Sequence, residues 1–324
     1  MGSARSVSVV LPTFNAGPIL EEVLTAIERQ DLEVELERIA VDSGSRDGTV
    51  ERLRAHGFSV HSISRREFNH GATRDLAIEM ARGEIAVLLT QDAVPADGSW
   101  LRHLLEPYAD PRVAGVYCRQ IPRPDCNPIL AERLRNWAAG KTEPAVQEVE
   151  SEAAFEGLPP LDRLARAAFD NVASSLRRSV WERIPFGRRD FGEDVAWGKR
   201  AILAAWRIVF QPKSAVVHSH NRSPLAEARR LYCDHQNLND LLGVTSIPTL
   251  RQGFRAVREQ REKHLRLLAG LSLSPAAREH WSRWARRFAI GEAVGTYLGA
   301  KSAAWRRGRT WWFPFVDRLV RRGI

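Results

Sequence analysis

Short aliphatic and β-branched runs alternate with segments of helical spacing along the first part of the chain. Apolar residues recur every three or four positions in the predicted helices, which are Pro18–Arg29, Thr49–His56, His70–Arg82 and Trp100–Tyr108. The predicted strands are Ser6–Pro12, Leu36–Val41, Val60–Ile63, Ile85–Leu89 and Val113–Cys118. This alternation predicts an α/β domain with a mainly parallel sheet.

The pattern changes after the fifth predicted strand. Residues 121–165 are rich in proline and charge and predict a long, partly helical excursion, and loops of that length are usually functional. Strand and helix signals return at Ser174–Trp181, Val195–Ala205 and Arg207–Phe210. From about Pro224 the spacing is helical, with breaks at Pro248 and Pro275. We therefore expect one domain over residues 1–223 and a helical region over residues 224–324.

Composition excludes several classes of protein. With 44% hydrophobic and 27% charged residues in 324, the chain can bury a sizeable core, which excludes a disordered or fibrous protein. None of the three cysteines forms a CxxC pair, which excludes zinc ribbons and redox dithiols. The chain contains no apolar run of the roughly 18 residues that a membrane span needs. A cytoplasmic location is the expectation.

Net charge is concentrated at the carboxyl-terminal end. Residues 251–324 hold 17 lysines and arginines and five acids, a balance of +12, so the overall +9 leaves the first 250 residues at −3. A nearly neutral body with a basic tail is not the footprint of a nucleic-acid-binding surface, and no nucleic-acid partner is expected.

Polar residues follow three of the predicted strands. They lie in Pro12-Thr13-Phe14-Asn15, in Asp42-Ser43-Gly44-Ser45-Arg46-Asp47-Gly48-Thr49, and in Thr90-Gln91-Asp92. In an open α/β sheet, ligands bind beyond the carboxyl ends of the strands. The dinucleotide fingerprint G-x-G-x-x-G and the phosphate loop G-x-x-x-x-G-K-[ST] are both absent, so neither nicotinamide nor ATP binding follows. Taken alone, Asp42 could simply cap a turn and Asp47 a helix.

Together these segments resemble a known family. VVLPTFN, VDSGSRDGT and LLTQDAVP, followed by FNHGATR, VYCRQ, GED and VHSH, are similar to motifs of the inverting glycosyltransferases of family 2 over roughly residues 6–240. The FNHGATR, TQDA and HSH forms look most like the bacterial rhamnosyltransferase branch. The resemblance implies a GT-A fold, which is Rossmann-like with a mostly parallel central sheet flanked by helices, here with a helical C-terminal extension. It implies a nucleotide-sugar half over about residues 1–118 and an acceptor half over about residues 119–223.

The resemblance also implies a metal site. Asp92 matches the metal-binding acid of the family's D-x-D motif, which here is Thr90-Gln91-Asp92 and lacks its first acid. A second ligand would come from His218, with His220 as the alternative. A divalent cation bridging the phosphates eases departure of the diphosphate, and imidazole makes the site compatible with Mn²⁺ as well as Mg²⁺. Either histidine could instead be structural.

Further site residues carry over by position. Asp42 matches the acid that binds the nucleotide base or ribose, and Arg74 could reach nucleotide or phosphate, or form a salt bridge to Asp42 or Asp92. The nucleotide-sugar pocket is expected to include Pro12, Thr13, Asn15, Asp42, Ser43, Arg74, Gln91 and Asp92. Asp194 matches the general base that takes the acceptor's proton, with Glu193 beside it, although both could be plain helix-start acids. The acceptor side is expected to include Arg119, Gln120, Asn171 and Arg177.

The implied activity is metal-dependent transfer of a sugar with inversion. The preferred sugar is L-rhamnose, and the preferred donor is dTDP-β-L-rhamnose. The acceptor would be a hydroxyl of a saccharide or of a lipid-linked saccharide in cell-envelope polysaccharide synthesis. A UDP- or GDP-sugar donor is the alternative, and the incomplete D-x-D motif leaves open a catalytically silent nucleotide-sugar-binding scaffold.

The basic tail has two explanations. Residues 301–324 interleave tryptophan and phenylalanine with arginine, which suits the surface of an anionic membrane at the inner face of the plasma membrane. Alternatively, the aromatic residues pack helices together and the arginines form a solvated face. Trp281, Trp284 and Phe288, at helical spacing, fit the second explanation equally well.

Overall fold

The computed structural model describes residues 6–32, 34, 36–308 and 310–321. The chain divides into two compact units. The first comprises residues 1–123, 134–158 and 165–219, and the second comprises residues 124–133, 159–164 and 220–324. The predicted domain boundary after residue 223 therefore lies four residues beyond the last residue of the first unit.

A central sheet forms the first unit. Its strands are β1 Val7–Thr13, β2 Leu36–Asp42, β3 Ser59–Ser62, β4 Ile85–Leu89, β5 Val94–Pro95, β6 Val113–Ile121, β7 Ala145–Gln147, β8 Ala173–Arg177 and β9 Arg207–Val217. The order across the sheet is β3-β2-β1-β4-β8-β6-β9-β5, and β7 also pairs with β9. Strands β3, β2, β1 and β4 are parallel to one another, and β6 is parallel to β9. Strand β8 is antiparallel to both β4 and β6.

The helices follow the predicted spacing in most places. They are α1 Ile19–Glu28, α2 Thr49–Ala55, α3 His70–Met80, α4 Trp100–Leu105, α5 Pro128–Asn136, α6 Glu152–Gly157, α7 Pro160–Ala167, α8 Arg178–Trp181, α9 Glu193–Leu203, α10 Pro224–Leu242, α11 Leu250–Ala269, α12 Pro275–Arg307 and α13 Phe313–Val320. Short 3₁₀ turns follow at Glu106–Ala109 and Ala138–Gly140. The prediction of an α/β sheet with a helical C-terminal region is confirmed.

The core of the first unit lies where the sequence is most apolar. All five residues of β4 and nearly all of β1 are buried, because helices cover both faces of a parallel sheet. Helix α1 buries Leu20, Val23, Leu24 and Ile27, the positions that carry its helical spacing. This packing fixes the strands whose ends carry the polar residues.

The second unit contains a glycine-lined helix contact. Gly291, Gly295 and Gly299 recur every fourth residue on α12 and face α10. A Cβ on Gly295 would lie 2.3 Å from the Ala228 carbonyl oxygen, and one on Gly299 would lie 2.5 Å from that of Tyr232. The two helices therefore pack at backbone-to-backbone distance, which side chains of any size would prevent.

The aromatic residues of the second unit divide between the two explanations. Trp281, Trp284 and Phe288 pack in a cluster with Ile129, Leu231 and Leu268, as the packing explanation requires. Phe313 is buried and Trp305 packs edge-on against Trp312, with ring centroids 5.1 Å apart. Trp311, Phe315 and Leu319 are exposed by 89%, 76% and 55%. Residues 309 and 322–324 of the predicted tail lie outside the described residues.

Within the described part of the chain, no helix combines the length and the apolar composition that crossing a bilayer requires.

Candidate active site

The polar residues that follow the strands gather at one edge of the sheet. Strands β1 and β2 are in register, with Thr13 paired to Asp42 at their carboxyl ends. Asp92 follows β4, and Gln120 and His218 lie at the carboxyl ends of β6 and β9, which run parallel to each other. Because β8 is antiparallel, its beginning, preceded by Asp170 and Asn171, lies at this same edge.

Asp42 is buried and uses its carboxylate to organise the loop that follows it. Oδ1 accepts hydrogen bonds from the Thr13 hydroxyl at 3.0 Å and the Ser45 hydroxyl at 2.5 Å. Oδ2 accepts from the backbone N–H groups of Gly44 at 2.9 Å and Ser45 at 2.8 Å. A carboxylate has about four acceptor positions, so a ligand at Asp42 would have to exchange with one of these donors.

The loops after β1 and β2 are joined by side chains. The Asn15 backbone N–H donates to the Ser45 hydroxyl at 2.7 Å, and the Arg46 N–H donates to the Asn15 amide oxygen at 2.9 Å. Asn15 has a positive φ of 43°, a conformation that asparagine tolerates better than most residues. Asp47 accepts from the Gly17 N–H at 2.9 Å and from the N–H of Thr49, the first residue of α2, at 3.2 Å, so this acid joins the first loop to the start of α2. Ser43 is fully buried, and its hydroxyl has no hydrogen-bond partner among the described residues.

Gln91, in the motif that lacks an acid, holds the backbone of Phe14. Its amide oxygen accepts from the Phe14 N–H at 2.8 Å, and its amide nitrogen donates to the Phe14 carbonyl at 3.2 Å. The Arg65 guanidinium lies over the Phe14 ring, with 4.0 Å between Arg65 Cζ and the centroid of the ring. Gln91 therefore shapes the predicted nucleotide pocket through the loop, because both ends of its amide bind that backbone.

Asp92 and His218 lie together. His218 Nε2 is 3.6 Å from Asp92 Oδ1, and their side chains are 9% and 29% exposed. Two ligands that each lie about 2.1 Å from one ion can be at most about 4.2 Å apart, so this separation fits a shared divalent cation. A carboxylate and an imidazole suit Mn²⁺ or Mg²⁺. His220 begins the last segment of the second unit, residues 220–324.

A chain of hydrogen bonds supports His218 from behind. His218 Nδ1 lies 2.9 Å from the amide oxygen of Gln120, whose amide nitrogen donates to Asp170 Oδ2 at 2.9 Å. Asp170 Oδ2 also accepts from the Trp137 indole N–H at 2.9 Å. Gln120, predicted on the acceptor side, is thus bound at both ends of its amide beside the metal pair.

Sequence reasoning missed Asp170 and Trp137. Asp170 precedes strand β8 instead of following a strand, and the sequence prediction considered only residues that follow strands. The signal that could have found it is the direction of β8, which brings the residues before this strand to the site. Trp137 lies in the excursion, for which the sequence predicts no detailed structure.

Glu193 and Arg74 form a buried ion pair. Arg74 Nη1 lies 3.2 Å from Glu193 Oε1 and donates to the His70 carbonyl at 3.0 Å. Burial acts to raise the pKa of Glu193, but the charges of Arg74 and His70 hold it below its ordinary value. The partner of Arg74 is therefore Glu193 and neither Asp42 nor Asp92, the two acids considered from the sequence.

Asn171 is buried between its neighbours. It donates to Glu193 Oε1 at 3.2 Å and accepts from the Ser174 hydroxyl at 3.0 Å. Only 2% of the residue is exposed and both ends of its amide are bound by the protein, so contact of Asn171 with an acceptor stays a prediction.

Asp194 differs from its neighbour in its surroundings. It keeps partial contact with solvent, yet protein atoms surround its carboxyl closely. Loss of hydration, then the charge of Glu193 and that of Asp170, raise its pKa well above the ordinary value for aspartate. A carboxylate of raised pKa is a better proton acceptor, which suits the predicted base.

The FNHGATR segment anchors the loop that leads into α9. The Asn69 amide oxygen accepts from the Arg189 N–H at 2.8 Å, and its amide nitrogen donates to Asp190 at 2.6 Å. Asp75, the residue directly after this segment, accepts from the N–H groups of Phe186 and Gly187. Gly71 lies so close that a Cβ there would be 2.0 Å from the Gly187 carbonyl oxygen. This motif thus sets the position of Glu193 and Asp194.

The structure contradicts the prediction that Arg177 lies on the acceptor side. It pairs with Ile85 at the beginning of β4, so it lies at the sheet edge opposite to Asp92. There it donates to the carbonyl oxygens of Val113 and Tyr108 and pairs with Glu84. Because β8 is antiparallel, its last residue is carried away from the site, and Arg177 has no place on the acceptor side. Arg119 precedes Gln120 on β6, and strand alternation turns it to the other face of the sheet.

The sequence is similar to those of known proteins. The profile of Glycosyl transferase family 2 matches residues 8–156. The O-antigen chain rhamnosyltransferase RfbN of Salmonella typhimurium is 32% identical over 230 residues, which is 70% of this chain and 70% of that protein. The chain belongs to glycosyl transferase family 2. It is a glycosyltransferase, and the resemblance drawn from its motifs is confirmed.

Other relatives of this family 2 enzyme agree. The O-antigen chain rhamnosyltransferase WbaN of Salmonella anatum is 32% identical over 231 residues, again 70% of each chain. Among solved structures, S. aureus TarS 1-349 in complex with UDP-GlcNAc has a TM-score of 0.51 at 17% identity and covers 94% of this chain and 92% of its own. Glucosyl-3-phosphoglycerate synthase from Mycobacterium tuberculosis, with Mn²⁺ and UDP-glucose, has a TM-score of 0.51 at 21% identity and covers 76% and 83%. These two structures support the GT-A fold alone.

Proposed function

We propose that this enzyme transfers L-rhamnose, with inversion, from dTDP-β-L-rhamnose to a hydroxyl of a saccharide or of a lipid-linked saccharide in the synthesis of a cell-envelope polysaccharide. The observation that carries the choice of sugar is 32% identity, over 70% of the chain, to two O-antigen chain rhamnosyltransferases. The motifs quoted from the sequence favour the same branch.

Asp92 and His218 are the proposed ligands of a divalent cation, with His220 as the alternative to His218. When bound, Mg²⁺ or Mn²⁺ supplies positive charge that stabilises the diphosphate leaving group. The donor's nucleotide lies, in this proposal, against Pro12, Thr13, Asn15, Asp42 and Ser43. Gln91 shapes the nucleotide pocket by binding the Phe14 backbone, and Arg74 contributes to the site through its ion pair with Glu193.

Asp194 is the proposed general base. The acceptor oxygen forms a bond to the anomeric carbon while the bond from that carbon to the diphosphate oxygen breaks. The acceptor's proton passes to Asp194, dTDP leaves, and the configuration inverts from β to α. The raised pKa of Asp194 supports this role, because a base must bind the proton as the new bond forms.

The donor is tested by release of nucleoside diphosphate from dTDP-rhamnose, a UDP-sugar and a GDP-sugar, each with Mn²⁺, Mg²⁺ or EDTA. We expect turnover of dTDP-rhamnose that EDTA abolishes and that Asp92→Asn lowers by about 100-fold or more, because loss of a direct ligand should cost more than the roughly 10- to 100-fold lost when a residue that only supports a ligand is changed. Asp162→Asn, an exposed acid on α7, is the matched control. Preference for a UDP- or GDP-sugar overturns the choice of donor, and nucleotide binding without any turnover favours the silent scaffold.

The metal ligands are separated by a pair of histidine variants. His218→Ala is expected to weaken Mn²⁺ binding measured by calorimetry, whereas His61→Ala, an exposed histidine on β3, leaves it unchanged. If His220→Ala weakens binding and His218→Ala does not, the ligand assignment moves to His220.

Peripheral contact with an anionic membrane through residues 301–324 is part of the proposal. The exposed side chains of Trp311, Phe315 and Leu319 lie beside the exposed Arg318, a combination that suits the headgroup region of anionic lipid. Replacing these three apolar residues with serine should reduce sedimentation with anionic vesicles and spare turnover of a soluble acceptor. Leu161→Ser, at a site 65% exposed elsewhere in the chain, is the control. Equal sedimentation of the triple variant and the parent would overturn membrane contact through this surface.

A further inference from the structure

The hydrogen bonds behind His218 have a direction that their chemistry fixes. Asp170 is the fixed end, since a carboxylate can only accept hydrogen bonds. It accepts three of them, from the Val172 N–H at 3.0 Å, the Trp137 indole N–H at 2.9 Å and the Gln120 amide nitrogen at 2.9 Å.

The orientation of the Gln120 amide follows from Asp170. If the amide were reversed, its oxygen would face the carboxylate oxygen at hydrogen-bond distance, and two acceptors would oppose each other. The Gln120 nitrogen therefore points to Asp170 and its oxygen to His218 Nδ1, 2.9 Å away. Gln120 is 5% exposed, so water does not offer an easy alternative partner.

The protonation of the imidazole follows from Gln120. An amide oxygen opposite Nδ1 needs a hydrogen on Nδ1, which in neutral histidine leaves the lone pair on Nε2. Nε2 is the nitrogen that lies 3.6 Å from Asp92 Oδ1. In metal sites, a hydrogen bond to the second ring nitrogen commonly selects the tautomer that can ligate.

We propose that Asp170 and Gln120 are positioning residues that hold His218 as the Nδ1-protonated tautomer, with its Nε2 lone pair presented on the side of Asp92. This inference rests on the proposed role of His218 as a metal ligand. It concerns proton positions in the metal-free protein, so it can be tested without knowing the donor or the acceptor.

The decisive measurement is the tautomer of His218 in metal-free protein labelled with ¹⁵N-histidine. Long-range ¹H–¹⁵N spectra at pH 8 distinguish protonated from unprotonated ring nitrogens, and His218→Gln identifies the signals. We expect a protonated Nδ1 and an unprotonated Nε2. A protonated Nε2, whether as the other tautomer or as imidazolium, overturns the inference while leaving the proposed function standing.

Two variants test the direction of the hydrogen bonds. Asp170→Asn lets residue 170 donate to Gln120, so the Gln120 amide can reverse and offer its N–H to His218. We expect this variant to shift the tautomer and to weaken Mn²⁺ binding by calorimetry about 10- to 100-fold. Trp137→Phe removes one hydrogen bond to the Asp170 carboxylate, but the carboxylate still accepts from Gln120. This variant should therefore keep the tautomer, and its affinity for Mn²⁺ should stay within about threefold of the parent's.

Gln120→Met serves if Asp170→Asn fails to fold, because it keeps the side-chain volume and removes the acceptor from Nδ1. A loss of Mn²⁺ affinity in Trp137→Phe equal to that in Asp170→Asn would overturn the inference, since it would mean that packing alone supports the site. If the parent shows the expected tautomer but binds neither Mn²⁺ nor Mg²⁺, the metal role fails in the proposed function while the positioning of His218 stands.

Discussion

Arg74 on α3 and Glu193 at the start of α9 form an ion pair, with 3.2 Å between Nη1 and Oε1 and side chains only 7% and 6% exposed. A buried pair of this kind stabilises a fold little by itself, but removal of one partner leaves an uncompensated charge. The pair therefore links the position of α9 to that of α3.

Single removal of either charge should be costly and double removal should not. Arg74→Met and Glu193→Gln are each expected to lower the free energy of unfolding by about 3–5 kcal/mol, because each leaves its partner unpaired. The double variant should recover most of this loss, which denaturant titration of the four proteins would measure. Strictly additive losses would mean that the two side chains act independently.

Gly71→Ala should disturb the loop that leads into α9. A Cβ at position 71 would lie 2.0 Å from the Gly187 carbonyl oxygen, and that oxygen belongs to backbone that cannot rotate away. We expect a loss of about 1–3 kcal/mol of stability together with a large fall in turnover. Gly157→Ala is the matched control, because nothing lies within 4 Å of the added methyl group. Normal activity in Gly71→Ala would show that the loop position does not matter to the chemistry.

Asp194→Asn should abolish turnover and stabilise the protein. Burial, Glu193 and Asp170 raise the pKa of Asp194, so the charged form is less favourable in the folded than in the unfolded state. Above the raised pKa this difference destabilises the fold, and the uncharged asparagine removes it. We expect a higher Tm than the parent at pH 8, little difference at pH 4, and a loss of turnover of about 10²- to 10⁴-fold. A lower Tm at pH 8 would contradict the shifted carboxyl.

The pH dependence of the reaction has the same origin. A base works only when ionised, so kcat/KM should fall as the pH drops through the raised pKa of Asp194, at a higher pH than an ordinary aspartate would give. Profiles of the parent at several acceptor concentrations measure this acid limb. An acid limb near pH 4 would point to a carboxyl of ordinary pKa as the base.

Gly295→Ala should separate α12 from α10. The added Cβ would lie 2.3 Å from the Ala228 carbonyl oxygen, so the helices must move apart and lose contact along their length. We expect a lower Tm, by several degrees. Gly253→Ala, inside α11, meets no atom closer than 3.9 Å and should stabilise the protein by up to about 1 kcal/mol, because alanine favours helix. Equal effects of the two substitutions would refute the close contact.

The sequence predicted the strands and the first site residues because both depend on local pattern. Asp42 and Asp92 follow apolar runs, and the carboxyl ends of parallel strands share an edge. The direction of β8 depends on its pairing with β4 and β6, which end 84 and 52 residues before β8 begins, and no local pattern encodes it. Because the direction of β8 could not be predicted, the prediction omitted Asp170 and misplaced Arg177.

The sequence also could not predict which side chains are buried and which partners they bind inside the protein. The chemistry of a side chain indicates what it can bind, but its partners decide what it does bind. Gln91 and Gln120 are typical polar pocket residues by type, yet both of their amides are engaged by the protein itself. In the tail, the spacing of the aromatic residues could not separate the buried Phe313 from the exposed Trp311 and Phe315.

The strand order has a consequence for how the enzyme is made. Strand β8 lies between β4 and β6 although it follows both in the chain, and β9 joins β6 to β5 later still. As the chain leaves the ribosome, β1 to β4 can pair early, but the sheet cannot become continuous until residues 173–177 have emerged. Asp92 meets His218 only after β9 is complete, more than 120 residues after Asp92 is synthesised. A nascent or truncated chain that ends before this point carries the nucleotide-binding loops without the imidazole of the paired metal site.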